Sequence, residues 1–188
     1  ARAEFDYYRD KWPDFSPKAE VTSRVAGIMV SRAKLLINRN TTVPASRVEA
    51  LLQHEVGTHL LTYYNGRAQP FRQLYSGLAG YEALQEGLAV LAEYLVGGLD
   101  RPRMRQLAAR VVAARQLIEG ASFVETFRTL HEAFGLPRRS VFKTTMRIYR
   151  GGGFTKDAIY LRGLRQILGY VGRNGDLEPL FVGKIATD

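Results

Sequence analysis

The sequence predicts an α+β fold that is mostly helical, with a small β-hairpin or sheet near its N-terminus. Two short runs rich in Ile, Val and Leu, 25–30 and 34–38, are separated by three residues, which is typical of a hairpin. Apolar residues then recur at helical spacing through most of the remaining chain. The 188 residues, 46% of them apolar, can form a sizeable core and show no internal repeat or boundary, so we expect a single domain over 1–188.

The segments on either side of the hairpin are predicted from their breaking and capping residues. Residues 1–20 carry two prolines among charged and aromatic side chains, so we expect this segment to be irregular. Ser46 and Glu49 have the spacing of a capping box, in which the serine hydroxyl accepts the N–H of the residue three positions on. A helix should therefore run from about 47 to 64, where Asn65-Gly66 favours a C-terminal end.

The rest of the chain is predicted from periodicity and from the glycines that end apolar segments. A second helix should run over about 78–96. The leucines of its predicted core stripe are Leu84, Leu88, Leu91 and Leu95. Further helices are expected over 101–119, 122–134, 140–149 and 156–171. The helix at 122–134 should begin with a capping box of Ser122 and Glu125. The apolar run 180–182 favours a short strand.

Charge and composition limit the classes of partner and compartment. The formal net charge of +9 favours acidic partners, but the basic residues are scattered and form no nucleic-acid-binding signature. We interpret them as arginine-rich helix surfaces and expect no nucleic-acid partner. The longest apolar stretch, 88–99, is too short to span a bilayer, so no membrane association is expected. The chain has no cysteine and no signal peptide, so we expect a cytoplasmic protein, and its start without Met predicts a fragment of a longer chain.

The segment His54-Glu55-Val56-Gly57-Thr58-His59 carries the clearest chemical signal. Zinc hydrolases need two imidazoles that converge on one ion and a carboxylate beside them. The histidines are five residues apart rather than the usual four, and five residues advance an α-helix by about 500°, which leaves the two rings about 140° apart. Convergence then requires long reach or a locally widened helix such as a π-bulge, so we predict an irregularity near Gly57. Two buried histidines satisfied by hydrogen bonds are the alternative interpretation.

A catalytic zinc ion normally has three protein ligands, and no cysteine is available for the third. The second predicted helix offers Glu82, Glu86 and Glu93 on one face, and their spacing does not choose among them. We interpret Glu82 as part of a solvated surface. His131 lies on a separate amphipathic helix and is interpreted as a packed or surface histidine. A His-Glu…His helix followed by a helix with a glutamate ligand is typical of gluzincin peptidases.

Taken together, the segments 54–59, 65–66 and Gln85-Glu86-Gly87-Leu88-Ala89 resemble the bacterial family named for its QEGLA motif. Some of its members are labelled flavohemoglobin expression-modulating proteins. That family is similar to the microtubule-associated tyrosine carboxypeptidases, zinc enzymes with an HExxxH motif that remove the C-terminal tyrosine of tubulin. The resemblance covers nearly the whole chain. It implies a gluzincin-like metallopeptidase domain in which His54, His59 and Glu86 hold Zn²⁺ and Glu55 is the catalytic base.

The predicted function is therefore that of a zinc metallopeptidase, more specifically a carboxypeptidase that acts on the C-terminus of a peptide or protein. Because the chain is basic, an acidic substrate is favoured. Tyr160 and Arg150 are candidate donors to the developing oxyanion, and the glycines 151–153 with Lys156 are candidates to hold a terminal carboxylate. Ordinary packing and surface charge are the alternative roles for these residues. The alternative functions are a regulatory or binding module with a structural metal site, or a zinc hydrolase that does not act on peptides.

Overall fold

A computed structural model of the chain describes residues 1–151 and 156–186. They form two compact units, the first from Ala1–Gly98 and the described part of Gly163–Asp188, the second from the described part of Leu99–Arg162. The α+β class, mostly helical with a small sheet, is confirmed. The assignment of the whole chain to a single catalytic domain stays a prediction. In the described ranges, no helix combines the length and the apolar character that crossing a membrane requires.

The first unit opens with a helix and a small sheet. These elements are helix α1 (Arg2–Lys11) and strands β1 (Lys18–Thr22), β2 (Ile28–Ser31) and β3 (Lys34–Asn38). Strands β2 and β3 pair antiparallel, so the predicted hairpin is confirmed. The central strand β3 also pairs in parallel with β1, with Ala19 opposite Leu35. The irregular lead-in predicted over 1–20 is therefore wrong, because both of its prolines lie between α1 and β1 and interrupt neither element.

A continuous helical segment follows over 45–68 and packs against the sheet. It consists of α2 (Ala45–His54), a π-helical turn (Glu55–Leu60) and α3 (Leu61–Ala68). The predicted capping box is wrong: the helix begins one residue before Ser46, with Pro44 at the N-cap position and no side-chain cap. Val56 and Leu60, fully buried, join Phe15 of the lead-in in the hydrophobic core of this unit.

The predicted helix end at Asn65-Gly66 is also wrong, because the helix runs two residues further. Gly66 does not end the helix; it allows another part of the backbone to pack closely against it. A Cβ at this position would lie 2.4 Å from the carbonyl oxygen of Leu74, so only glycine allows the backbones to approach this closely. The Asn65 side-chain amide donates to the carbonyl oxygen of Phe181 at 2.8 Å, which ties the end of the helix to the C-terminal segment.

Two further helices, α4 (Gln73–Ser76) and α5 (Tyr81–Leu95), complete the first half of this unit. Of the predicted core stripe on α5, Leu84, Leu88 and Leu91 are buried. Leu95 is 69% exposed, so its assignment to the stripe is wrong; it is the last residue of the helix.

Every regular element in the described part of the second unit is a helix or a helical turn. This unit contains α6 (Arg101–Ile118), α7 (Phe123–Arg128), a second π-helical turn (Thr129–Ala133), α8 (Arg138–Tyr149), a 3₁₀ turn (Lys156–Ala158) and the first residues of α9 (Ile159–Val171). The predicted capping box at the start of α7 is confirmed, with both Ser122–Glu125 hydrogen bonds present. Leu130, Val141 and Ile148 belong to the core of this unit.

The remainder of α9, from Gly163 onward, belongs to the first unit, as does a 3₁₀ turn at Glu178–Phe181. The strand predicted over 180–182 is therefore wrong. Pro179 has its φ fixed near −65° and carries no N–H, which suits a turn but not a ladder.

Helices α5 and α9 meet at two glycines. A Cβ on Gly163 would lie 1.8 Å from the carbonyl oxygen of Ala83, and a Cβ on Gly87 would lie 2.4 Å from the carbonyl carbon of Gly163. The two backbones are therefore in direct contact. Since Gly87 follows Glu86, this contact sets the position of the helix turn that carries the predicted third ligand.

Gly163→Ala is expected to lower the free energy of unfolding by about 1–3 kcal/mol, because the added methyl group forces the two helices apart. Chemical denaturation measures the change. Gly169→Ala is the matched control in the same helix, since its added Cβ would meet nothing nearer than the Arg173 side chain at 3.6 Å. That control should be neutral, or stabilising by up to about 1 kcal/mol. Equal stability of the two variants would contradict the close helix contact.

Candidate metal centre

The widened turn predicted near Gly57 is confirmed as the π-helical segment Glu55–Leu60. At its end, the N–H of Leu61 donates to the carbonyl oxygen of Val56, five residues earlier. A turn closed at this spacing brings residues five apart to the same side of the helix. The His54 and His59 rings accordingly lie with centroids 5.1 Å apart and planes at 83°. The conflict between their spacing and α-helical geometry is resolved by the backbone.

Glu86 on α5 faces both imidazoles. Its Oε2 lies 3.5 Å from Nε2 of His54 and 3.8 Å from Nε2 of His59, and one ligand atom from each of the three residues lies within 4.8 Å of the others. Tetrahedral zinc with bonds of about 2.0–2.2 Å holds its donor atoms about 3.3–3.6 Å apart. Two imidazoles and one carboxylate are also an established donor set for catalytic zinc. The two distances from Glu86 are close to this spacing, and the three residues could hold a metal ion.

A buried chain of hydrogen bonds orients His54. Its Nδ1 donates to Oε1 of Glu93 at 2.9 Å, and Glu93 is fully buried. The other oxygen of Glu93 accepts from Nη2 of Arg47 at 2.7 Å, and Nη1 of Arg47 also donates to the carbonyl oxygen of Gly98. With the proton of the neutral imidazole held on Nδ1, the lone pair of Nε2 faces Glu86. Outer contacts of this kind fix the tautomer and ring orientation of a metal ligand.

His59 is oriented by the neighbour of Glu86 in sequence. Its Nδ1 lies 3.4 Å from Oε1 of Gln85, a long hydrogen bond in which the amide oxygen accepts. The same oxygen accepts from the hydroxyl of Thr62 at 2.8 Å. Both imidazoles therefore direct Nε2 toward the carboxylate of Glu86.

Three carboxylates, Glu55, Glu86 and Glu93, act on His54, and Glu86 also acts on His59, in a chain whose net charge is +9. Burial alone would lower the pKa of His54, but hydrogen bonds from its ring to Glu86 and Glu93 and the charge of Glu55 outweigh it and raise the pKa to about 9. A metal ion bound at Nε2 would therefore displace a proton from this ring. Burial lowers the pKa of His59 to about 4, so that ring is neutral and able to act as a ligand. The excess of negative charge favours a cation in the cluster.

Glu55 is buried next to the cluster and is oriented by the sheet. Its Oε2 accepts the backbone N–H of Val30 in β2 at 3.0 Å. It also lines a cavity of about 170 Å³ whose other lining residues are apolar: Ala1, Ile28, Leu35, Ile37, Val43, Val48, Leu51 and Leu52. Burial raises the pKa of Glu55 to about 7. A carboxylate with a pKa near neutrality is suited to take and release a proton at physiological pH.

The remaining histidine and the remaining glutamate of the candidate set behave as ordinary residues. Glu82 is exposed on α5. His131, in the second unit, donates from Nδ1 to the carbonyl oxygen of Leu136 at 2.8 Å, and Nε of Arg138 donates to its Nε2 at 3.2 Å. Because a carbonyl oxygen only accepts, Nδ1 is the donor in the first bond. Both interpretations made from the sequence are confirmed.

The other predicted site residues belong to the second unit. Tyr160 is partly buried, with the guanidinium carbon of Arg110 5.0 Å from its ring centroid. Arg150 is exposed at the C-cap of α8, and Lys156 is exposed at the start of the 3₁₀ turn. Gly152 and Gly153, which were predicted to hold a terminal carboxylate together with Lys156, lie outside the described residues. The roles of Tyr160, Arg150 and Lys156 stay predictions.

Three neighbours of the cluster were not predicted from the sequence. Arg47 and Gln85 hold the groups that orient the histidines, and the charge of Lys184 acts on His59. The sequence did point to Gln85, because it directly precedes Glu86 in the segment Gln85-Glu86-Gly87-Leu88-Ala89. No local signal pointed to Lys184, which lies in the C-terminal segment far from either motif in sequence.

The comparison with known proteins concerns the whole chain. A family model described as microtubule-associated tyrosine carboxypeptidase matches residues 1–188, a range that includes His54, His59 and Glu86. No curated protein and no solved structure matches the chain. Because the match extends over all 188 residues, the chain belongs to the microtubule-associated tyrosine carboxypeptidase (MATCAP) family.

Proposed function

We propose that this chain is a zinc-dependent carboxypeptidase with a gluzincin-like site. The observation that carries the proposal is the convergence of His54, His59 and Glu86 within 4.8 Å, beside the buried Glu55. The family description supports removal of a C-terminal residue. A zinc ion held by these three residues would supply a Lewis acid that polarises the scissile carbonyl and lowers the pKa of a bound water.

The residues of the chain supply proton transfer and orientation. Glu55 accepts the proton of the attacking water and delivers it to the leaving amine. Its Oε2 is engaged by Val30, so the carboxylate keeps one orientation during the transfer. Glu93 and Arg47 hold His54 on one side, and Gln85 holds His59 on the other. Tyr160 and Arg150 remain proposed donors to the oxyanion, and Lys156 remains a proposed partner of the substrate.

Strand β2 offers a backbone edge to an extended peptide. Gly27 accepts from Asn38 across the hairpin, and alternate residues of an antiparallel strand point to the same side. Val30 therefore directs its N–H away from β3, where it meets Glu55, and Ile28 has the same orientation. The N–H of Val30 stays with Glu55, so we propose that an extended peptide pairs with this edge at Ile28, beside the proposed base.

The family description names tyrosine and the chain is basic, so we propose an acidic peptide or protein tail ending in tyrosine as substrate and the cytoplasm as its location. The test uses purified protein and two peptides that differ only in a free or an amidated C-terminus. We expect about one zinc per chain and faster hydrolysis of the free acid. Chelation should abolish hydrolysis and added zinc should restore it.

Other outcomes of this test identify other functions. Protein that contains no zinc and is insensitive to chelators would overturn the proposal. Equal cleavage of the acid and the amide would indicate an endopeptidase, and hydrolysis of esters without peptides would indicate a different zinc hydrolase. A zinc-containing protein without hydrolytic activity would indicate a structural site, although such a site has no need of a buried base like Glu55.

A further inference from the structure

Lys184 is a partly buried cation that the proposed reaction does not yet use. Its Nζ lies 5.8 Å from the ring centroid of Tyr63 and 5.6 Å from that of Tyr81. Aromatic faces at this distance attract an ammonium but provide no counter-charge. Burial lowers the pKa of Lys184, and no acidic group among residues 1–151 and 156–186 acts against this shift. An ammonium in such surroundings gains from an anion that it can contact.

The backbone fixes where this ammonium is. The N–H of Lys184 donates to the carbonyl oxygen of Leu74 at 2.6 Å, and the carbonyl oxygen of Lys184 accepts from the N–H of Leu78 at 3.0 Å. These two bonds hold Lys184 against the segment between α4 and α5. Tyr81 begins α5, the helix that carries Glu86. The lysine is therefore attached to the scaffold of the metal cluster by main-chain contacts.

Lys184 lies on the His59 side of the cluster. Nζ of Lys184 lies 5.8 Å from the ring centroid of Tyr63. Tyr63, which flanks the ammonium, follows His59 by four residues, about one turn along the same helical segment. A cation without an acidic partner in the described chain thus stands beside one ligand of the proposed zinc site.

We propose that Lys184 binds the terminal carboxylate of the peptide substrate, with Tyr63 and Tyr81 holding its ammonium in place. The inference rests on the proposed function, because a carboxypeptidase must hold a carboxylate one residue beyond the bond that it cleaves. A charged partner of the substrate gives the free terminus an advantage that an amidated terminus cannot share. Lys156, the earlier candidate for this role, is exposed and belongs to the second unit.

The experiment compares Lys184→Met with Lys184→Arg, Lys156→Met and Lys18→Met. Lys18 is exposed at the start of β1 and serves as the matched control. Each variant is assayed for kcat/KM on a peptide with a free C-terminus and on the same peptide amidated. The preference is the ratio of kcat/KM on the free acid to kcat/KM on the amide. Lys184→Met should lower this ratio by about tenfold or more. Lys184→Arg should keep part of the preference, and Lys18→Met should keep all of it.

A second readout does not depend on turnover. In a zinc-loaded Glu55→Gln background, the free-acid peptide should bind more tightly than the amide, and Lys184→Met should remove most of that difference. Loss of preference in Lys156→Met instead, or equal losses for acid and amide in Lys184→Met, would overturn the assignment of Lys184. Wild-type protein that cleaves neither peptide would overturn the proposed function. Equal binding of the two peptides by the Glu55→Gln protein would overturn the assignment of Lys184 separately.

Discussion

Replacing Glu55 by glutamine is expected to reduce kcat by about 10²–10⁴-fold while zinc remains bound. The amide has the size of the carboxylate and keeps an oxygen for the N–H of Val30, so the local structure is preserved. It cannot accept a proton from water, which removes the proposed base. Kinetic assays on a free-acid peptide, together with zinc quantification of the same sample, measure both parts of this expectation.

Glu49→Gln provides the matched control for this substitution. Glu49 is exposed on the same helical segment and accepts a hydrogen bond from Gln53, so its replacement should leave both kcat and zinc content unchanged. A Glu55→Gln protein with wild-type kcat would exclude Glu55 as the base. Loss of zinc in this variant would instead assign Glu55 a part in metal binding.

Removing the carboxylate of Glu86 should weaken zinc binding by more than about 100-fold. Replacement of an outer-shell partner of a metal ligand typically costs 10–100-fold in affinity, and Glu86 is proposed as a ligand itself. In Glu86→Ala, the two imidazoles lose the oxygen that lies 3.5 and 3.8 Å from their Nε2 atoms. Competition with a chelator of known affinity measures the change.

Two variants on the same helix separate a ligand from its surroundings. Glu82→Ala should bind zinc like the wild type, since Glu82 is exposed. Glu93→Gln should weaken zinc binding by about 10–100-fold, because Glu93 orients His54 without facing the metal. Wild-type affinity in Glu86→Ala, or a greater loss in Glu93→Gln than in Glu86→Ala, would show that the ligand is not Glu86.

Local conflicts in the sequence predicted local structure well. The five-residue spacing of the histidines is incompatible with convergence on a regular α-helix, and this mismatch led to the correct prediction of a widened turn. Capping and stop signals were less reliable. Ser46 and Gly66 fit the patterns of a helix start and a helix end, yet the helix begins before one and continues past the other. At Gly66 the reason is tertiary packing, because a residue without a side chain lets the backbone of Leu74 lie against the helix.

Non-local arrangement accounts for what the sequence could not predict. Strand β1 pairs in parallel with β3, although β2 lies between them in the sequence. No pattern within residues 1–20 indicates that pairing. In the same way, Glu86 and Glu93 share a face of α5, and periodicity alone makes them equivalent. The fold separates them by depth, with Glu86 at the two Nε2 atoms and Glu93 buried behind His54 between Nδ1 and Arg47.

The wide turn at Glu55–Leu60 also keeps the spacing of the histidines independent of the aromatic packing beyond it. Deleting Gly57 would shorten the interval to four residues, which a regular α-helix can bring to one side. A π-helical turn holds one residue more than an α-helical turn, so losing one residue together with the widening leaves every later side chain in the same rotational position. Tyr64, whose ring centroid lies 4.8 Å from that of Phe15, would then stay in the core. Conversion of this chain to the shorter motif therefore requires no redesign of α3.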